Sequence, residues 1–241
     1  MKFFSVNVCC ILIASCACAA ERPVIVAFGD SLTAGYGADP GQSYPDNLER
    51  DLDKAGYSYH VVNLGISGET TSDGLARVGS VIAQKPSIVI LEFGGNDGLR
   101  GVPIGAARAN LDQMMARLTA AHIRILLAGI TLPPNYGRDY IGQLQTMYQS
   151  LATKYHAPLI PFLLDGVFEH GLFQQDGIHP NAEGYAMVAG TVLRYLRPLL
   201  THAAANHPAH RAEWGVSHVN ATAWLWLSAC TWTAYASQPG R

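Results

Sequence analysis

Five short runs rich in apolar and β-branched residues, at 24–28, 59–64, 87–93, 123–130 and 159–162, alternate along the chain with stretches whose apolar residues recur three and four apart, at 44–55, 71–84, 104–121, 141–155 and 182–196. The first kind of segment reads as a buried strand and the second as an amphipathic helix. Strict alternation leaves few folds open, because each helix must carry the chain back across the sheet before the next strand begins, which makes the strands parallel. The expected architecture is a three-layer α/β/α sandwich around a five-stranded parallel sheet. With 241 residues, 49% of them hydrophobic and 14% charged, the chain can bury one substantial core without help from cross-links.

The strand ends carry the chemistry. The first run, Val24-Ile25-Val26-Ala27-Phe28, stops abruptly at Gly29-Asp30-Ser31, so Ser31 stands at the carboxyl end of a strand. In open α/β sheets that edge is where ligands bind. Asp30 or Ser31 can equally be a helix cap, and the motif alone does not separate the two readings. Past the second run lies Gly65-Ile66-Ser67-Gly68, and past the third Gly94-Gly95-Asn96-Asp97. Glycine lets a backbone N–H approach a ligand closely and an asparagine amide adds a donor, so Gly68 and Asn96 together can hold an oxyanion; singly, each is ordinary turn punctuation. Ahead of the last helical stretch comes Asp176-Gly177-Ile178-His179-Pro180-Asn181. A carboxylate and an imidazole three residues apart can pair, fixing the ring tautomer and leaving the other nitrogen to take a proton from Ser31. The competing reading is a helix capped by Asn181 beside a solvated Asp and His.

The ends of the chain read differently. Residues 1–20 hold one lysine, an apolar stretch and small residues before Glu21, the pattern of a secretory signal peptide and too short for a membrane span. Ile13-Ala14-Ser15-Cys16 also resembles a bacterial lipobox, which would leave Cys16 as a lipid anchor. The protein is thus expected outside the cytoplasm, periplasmic or secreted, or tethered to a membrane as a lipoprotein. Of five cysteines only Cys230 outlives conventional cleavage, so no internal disulfide is expected. A net charge of −2 without a basic run argues against nucleic acid, and nine scattered histidines without ligand spacing argue against a metal. Residues 199–241 form a compositionally different extension, with Trp214, Trp224, Trp226 and Trp232 in no periodic pattern, for which the sequence offers no chemistry.

Taken together, these blocks resemble the GDSL, or SGNH, hydrolases. Phe28-Gly29-Asp30-Ser31-Leu32 is similar to that family's nucleophile block, and Gly68 sits in its glycine block. Gly94-Gly95-Asn96-Asp97 is similar to its asparagine block and Asp176-Gly177-Ile178-His179-Pro180 to its final block. Longer runs such as Leu132-Pro133-Pro134-Asn135-Tyr136-Gly137 resemble the exported bacterial thioesterase I, lysophospholipase and arylesterase subgroup; the resemblance runs from Val24 to about Pro198, within a hydrolase domain expected over 21–198. The resemblance implies a flavodoxin-like sandwich. It also implies Ser31 as nucleophile, His179 as base and then acid, and Asp176 as its orienter. The oxyanion hole would comprise the Ser31 and Gly68 backbone N–H groups and the Asn96 side chain. It implies acyl transfer to water on a small ester or thioester, with no cofactor and no partner protein, by a monomer. Leu99, Val102, Leu132, Pro133, Tyr136, Val167 and Phe173 are the expected walls of the acyl site. Two alternatives stay open, a polysaccharide acetyl esterase of the same fold with a short pocket and a noncatalytic binding module.

Overall fold

A computed structural model describes residues 21–201. The leader with Cys16, and the extension beyond Thr201, lie outside the described residues. The chain runs β1 (Val24–Gly29), α1 (Ser31–Ala34), α2 (Tyr44–Lys54), β2 (His60–Asn63), α3 (Thr71–Ala83), β3 (Ile88–Glu92), α4 (Gly95–Leu99), α5 (Ile104–Ala120), β4 (Arg124–Ala128), α6 (Arg138–Tyr155), β5 (Leu159–Ile160) and α7 (Ala182–Leu196). All strand pairs are parallel, in the order β2-β1-β3-β4-β5. Ile25 lies opposite Val61 on one side and Ile88 on the other, and Leu127 lies opposite Leu159.

The strands alternate their side chains between two cores. Ile25, Ala27, Ile88, Ile90, Leu126 and Ala128 face α2 and α7, packing on Leu48, Leu52, Tyr185, Val188 and Val192. Val26, Phe28, Val89, Leu91, Ile125 and Leu127 face α3, α5 and α6, packing on Val78, Leu111, Met114, Leu144 and Leu151. A strand apolar on both faces can sit only between two helical layers, which is why these runs read as continuously hydrophobic rather than alternating. Full burial of one such Val, Leu or Ile side chain contributes about 1.5–3 kcal/mol, so the two cores outweigh any surface ion pair as a source of stability.

The strand order reverses between β1 and β3. Chain leaving β1 turns toward one side of the sheet and chain leaving β3 toward the other, opening a crevice at their carboxyl ends. Two short helical turns begin there: α1, which the cap reading of Asp30 or Ser31 allows, and α4, which is too short to show a period in the sequence. The helix expected over 141–155 starts earlier, at Arg138. Gly137 (φ 85°) precedes it, and its first turn, Arg138 and Asp139, is exposed and gives no apolar signal.

Candidate active site

Ser31 is the first residue of α1, directly after β1. Asp30 caps this turn, its Oδ1 accepting the Leu32 N–H at 3.1 Å, so the capping role falls to Asp30 and leaves the Ser31 hydroxyl free. That hydroxyl meets His179 Nε2 at 2.9 Å. On the far side of the ring, Nδ1 lies 2.7 Å from Asp176 Oδ2. A carboxylate can only accept, so Nδ1 carries the proton and Nε2 is left as the acceptor toward Ser31.

The Asp176/His179 pair rests on a small, closed loop. Asp176 Oδ1 accepts the backbone N–H groups of Ile178 at 2.9 Å and His179 at 3.0 Å. These bonds and the bond to the imidazole hold its carboxyl at about pH 2, far below the usual carboxylate range. Gly177, at φ 68°, makes the turn between Asp and His. An isolated antiparallel bridge, Phe173 to Pro180, closes the loop, and Asn181 starts α7 by accepting the Gly184 N–H at 2.9 Å. Gln174 then stitches this loop to the nucleophile loop: its Nε2 donates to Pro180 O at 2.9 Å and to Tyr36 O at 2.6 Å. Tyr185 also donates to Tyr36 O, at 3.0 Å, and the Tyr36 ring lies tilted against His179 with centroids 4.5 Å apart.

Gly68 and Asn96 come to the same crevice as Ser31 and His179. Gly68 adopts φ 84°, a backbone that favours glycine, and its carbonyl accepts from Arg100 Nη2 at 2.7 Å. Asn96, in α4, donates from Nδ2 to Asp30 Oδ2 at 3.0 Å and to Glu69 O at 2.9 Å. The amide therefore braces the loop that carries Gly68 against the turn that carries Ser31, with both its hydrogens engaged. Glu69 is bound by Arg77, whose guanidinium also reaches Leu64 O at 2.8 Å and Gly29 O at 3.2 Å. Asp97 is buried behind Asn96 and accepts the Thr71 N–H at 2.8 Å and its hydroxyl at 2.6 Å, tying α3 to α4.

From these groups opens a cavity of about 780 Å³. Of the walls expected from sequence, Leu99, Leu132 and Pro133 line it. Val102, Tyr136, Val167 and Phe173 do not. Val167 is fully buried in the core on the α2/α7 side, Phe173 packs there behind Phe168, and Tyr136 packs against the opposite core with its hydroxyl on Leu99 O. Side chains that sequence reasoning missed take their place, chiefly Ile130, Phe162, Leu164, Phe168 and Ile178. Phe162 stood within a run read as strand, yet β5 ends at Ile160 and frees it to turn into the cavity. Among the described residues no helix is long and apolar enough to cross a membrane.

Comparison with known proteins agrees with this geometry. Residues 27–187 match the GDSL-like Lipase/Acylhydrolase family. The chain is 40% identical over 183 residues to Esterase TesA of Pseudomonas aeruginosa, covering 75% of this chain and 91% of that protein. It is 38% identical over 186 residues to Thioesterase 1/protease 1/lysophospholipase L1 of Escherichia coli K12, covering 76% and 88%. Among solved structures, the crystal structure of TesA superimposes with a TM-score of 0.70 at 40% identity, over 74% of this chain and all of that one. AlinE4, an SGNH-hydrolase family esterase, gives 0.63 at 42% identity over 75% and 98%. The chain, with Ser31 hydrogen-bonded to His179 at the reversal point of a 2-1-3-4-5 parallel sheet, belongs to the GDSL-like lipase/acylhydrolase family.

Proposed function

We propose that this protein is a serine hydrolase that cleaves carboxylic esters through an acyl-enzyme on Ser31, with thioesters and lysophospholipids in its range. The observation that carries the reading is the unbroken hydrogen-bond chain Asp176, His179, Ser31 at 2.7 and 2.9 Å, opening into a largely apolar cavity. Ser31 Oγ attacks the acyl carbonyl while His179 Nε2 takes its proton. The C–O or C–S bond to the leaving group then breaks, and His179 returns that proton to the departing alcohol or thiol. Water, deprotonated by the same nitrogen, attacks the acyl-enzyme, and the acid leaves as Ser31 recovers its proton. Asp176 stays ionised throughout and stabilises the imidazolium.

The tetrahedral oxygen is assigned to the N–H groups of Ser31 and Gly68 and to the Asn96 amide, which serves it by sharing a hydrogen now given to Asp30 or Glu69. The acyl chain lies along Ile130, Leu132, Leu164 and Phe162. The size and apolar lining of this cavity favour an alkanoyl chain over acetyl, and so weigh against the acetyl-esterase alternative. Each methylene buried there contributes about 0.8 kcal/mol, so kcat/KM on p-nitrophenyl esters should rise roughly fourfold per added methylene until the cavity is full. A series falling from acetate onward would overturn the acyl assignment, and an acyl-CoA measured beside it reads the thioester range. Ser31→Ala should abolish hydrolysis with the fold intact, and wild-type turnover in that variant would sink the nucleophile.

We also infer export, from the leader at 1–20. The mass of the mature amino terminus tests it. A chain beginning at Ala20 or Glu21 means a conventionally processed enzyme, an acylated Cys16 means a tethered lipoprotein, and an intact Met1 overturns export.

A further inference from the structure

One buried carboxyl takes no part in this chemistry. Glu92 ends β3 fully buried, beneath the turn Gly29-Asp30-Ser31. Its Oε2 accepts the Asp30 N–H at 3.1 Å and the Thr33 hydroxyl at 2.9 Å, while Oε1 has no hydrogen-bond partner among the described residues. The turn is built around it: a Cβ on Gly29 would stand 2.4 Å from Glu92 Oε2 and 2.2 Å from Thr33 Oγ1. Asp30 is also buried, and its carboxyl accepts Leu32 N–H through one oxygen and the Asn96 amide through the other. Two buried carboxyls therefore adjoin directly under the serine.

No cation is bonded to either carboxyl among the described residues. Three phenols feel the pair's charge: Tyr44 from α2, whose hydroxyl lies 3.2 Å from Thr33 Oγ1, Tyr148 from α6, whose hydroxyl donates to Phe93 O, and Tyr185 from α7, whose hydroxyl donates to Tyr36 O. Burial pushes all three phenols up, so they stay neutral. Arg77 of α3 is spent on Glu69, Leu64 O and Gly29 O and bonds to neither carboxyl, and His179 acts on Asp30 through space. Two unscreened charges cannot coexist at such a site. Asp30 has donors for both its oxygens, whereas Glu92 has a buried oxygen with none. An orphaned carboxylate oxygen is costly, but a protonated carboxyl needs only an acceptor, and the Asp30 side chain lies within hydrogen-bond reach of the Glu92 carboxyl.

We propose that Glu92 is a positioning residue that keeps its proton in the working enzyme and shares it with Asp30. One negative charge then remains on the pair, to hold the Asn96 amide and the turn presenting Ser31. Burial, with the Asp30 charge beside it, holds the Glu92 carboxyl well above the ordinary 4.5. The native state thus binds a proton that the unfolded chain has released. By linkage, this contribution is fully present below 4.5 and is lost as pH rises toward the folded value.

The link to turnover rests on Ser31 as nucleophile, but the protonation does not, so the two are tested by different readouts. Infrared spectroscopy of the full chain at neutral pH should show a protonated-carboxyl C=O band that glutamate-specific ¹³C labelling shifts and Glu92→Gln removes. The Tm of Glu92→Gln minus that of the wild type should grow as pH rises from 5 to 8. No glutamate-derived band in the folded wild type, or a Tm difference independent of pH, overturns the shared proton. If Glu92→Gln does not fold, the labelled wild-type band alone decides. In turnover, Glu92→Gln should keep most of the kcat that Glu92→Leu loses, with a loss for leucine of tenfold or more and a smaller change in KM. Equal kcat losses in the two variants would overturn positioning while leaving Ser31 untouched.

Discussion

Asn96 has an amide that does two things at once, and the two predict different kinetics. As a brace between Asp30 and Glu69 it holds the site together in the resting state; as an oxyanion donor it matters only when the carbonyl oxygen becomes charged. Under the second role Asn96→Ala should lower kcat by about 10²- to 10³-fold with a much smaller change in KM, the loss that follows removal of one oxyanion donor. Steady-state kinetics read this directly. A variant with wild-type kcat would reduce Asn96 to a loop brace. Asp176 makes a second prediction, along the pH axis. Asp176 is held at about 2, so its contribution is present above its ordinary 3.8 and is lost only as pH falls through 2. Any acid limb of kcat/KM above pH 4 should therefore run with Asp176 still charged throughout it. A pH-rate profile in which Asp176→Asn changes the limb's midpoint position but not its height between pH 4 and 8 would show that Asp176 is not held charged there.

At the scale of elements, two loops must stay in register to keep Ser31 and His179 at 2.9 Å, and Gln174 is what spans them. Gln174→Ala removes bonds to Tyr36 O and Pro180 O and should cost about 1–3 kcal/mol, measured by urea unfolding, since one of the bonds lost is half-buried. Turnover should fall further than stability alone explains, because among the described residues the other hydrogen bonds from this side of the fold to the nucleophile loop are those of His179 to Ser31 and of Tyr185 to Tyr36 O. Unchanged urea midpoint and unchanged kcat would make Gln174 ornamental. Nothing in the sequence announced this residue, a polar side chain in a loop whose partner lies 138 positions away. The elements themselves were legible: the β-branched runs became β1 to β5 and the apolar spacing of 182–196 became α7, because burial on both faces and on one stripe write different periods. Glu92 was not legible as a special residue within the run 87–93, since its neighbour Asp30 is supplied by the adjacency of β1 and β3, which strand periodicity does not encode. Val167 and Phe173 show the opposite failure. An apolar residue in a loop does not say whether it turns into a cavity or into the core, and both turned inward to the core while Phe162 and Ile178 took the cavity.

For the molecule as a whole, the question is where the enzyme ends. The family match stops at residue 187 and the structural relatives cover about three quarters of the chain, yet contacts important to the core continue past α7. Leu199 and Leu200 pack against the core on the α2/α7 side, and Arg124 of β4 donates through Nη1 to Leu199 O. Thr201 closes on β2's flank, its N–H and its hydroxyl each 3.0 Å from the Tyr59 hydroxyl, while the Tyr59 side chain itself is buried in the core. Two truncations therefore separate what the domain needs from what it carries. A chain of residues 21–201 keeps these bonds and should fold and turn over within a few-fold of the full protein. A chain ending at Leu196 strips the cover from Tyr59 and leaves the Arg124 guanidinium without the Leu199 carbonyl, and should lose about 2–4 kcal/mol from exposed apolar surface and lost hydrogen bonds together. Thermal unfolding of the two, side by side with the full chain, tests both statements. Failure of 21–201 to fold would mean that residues beyond Thr201 complete the core, and equal stability of the two truncations would mean that the strap from Arg197 to Thr201 lies on the surface without supporting it.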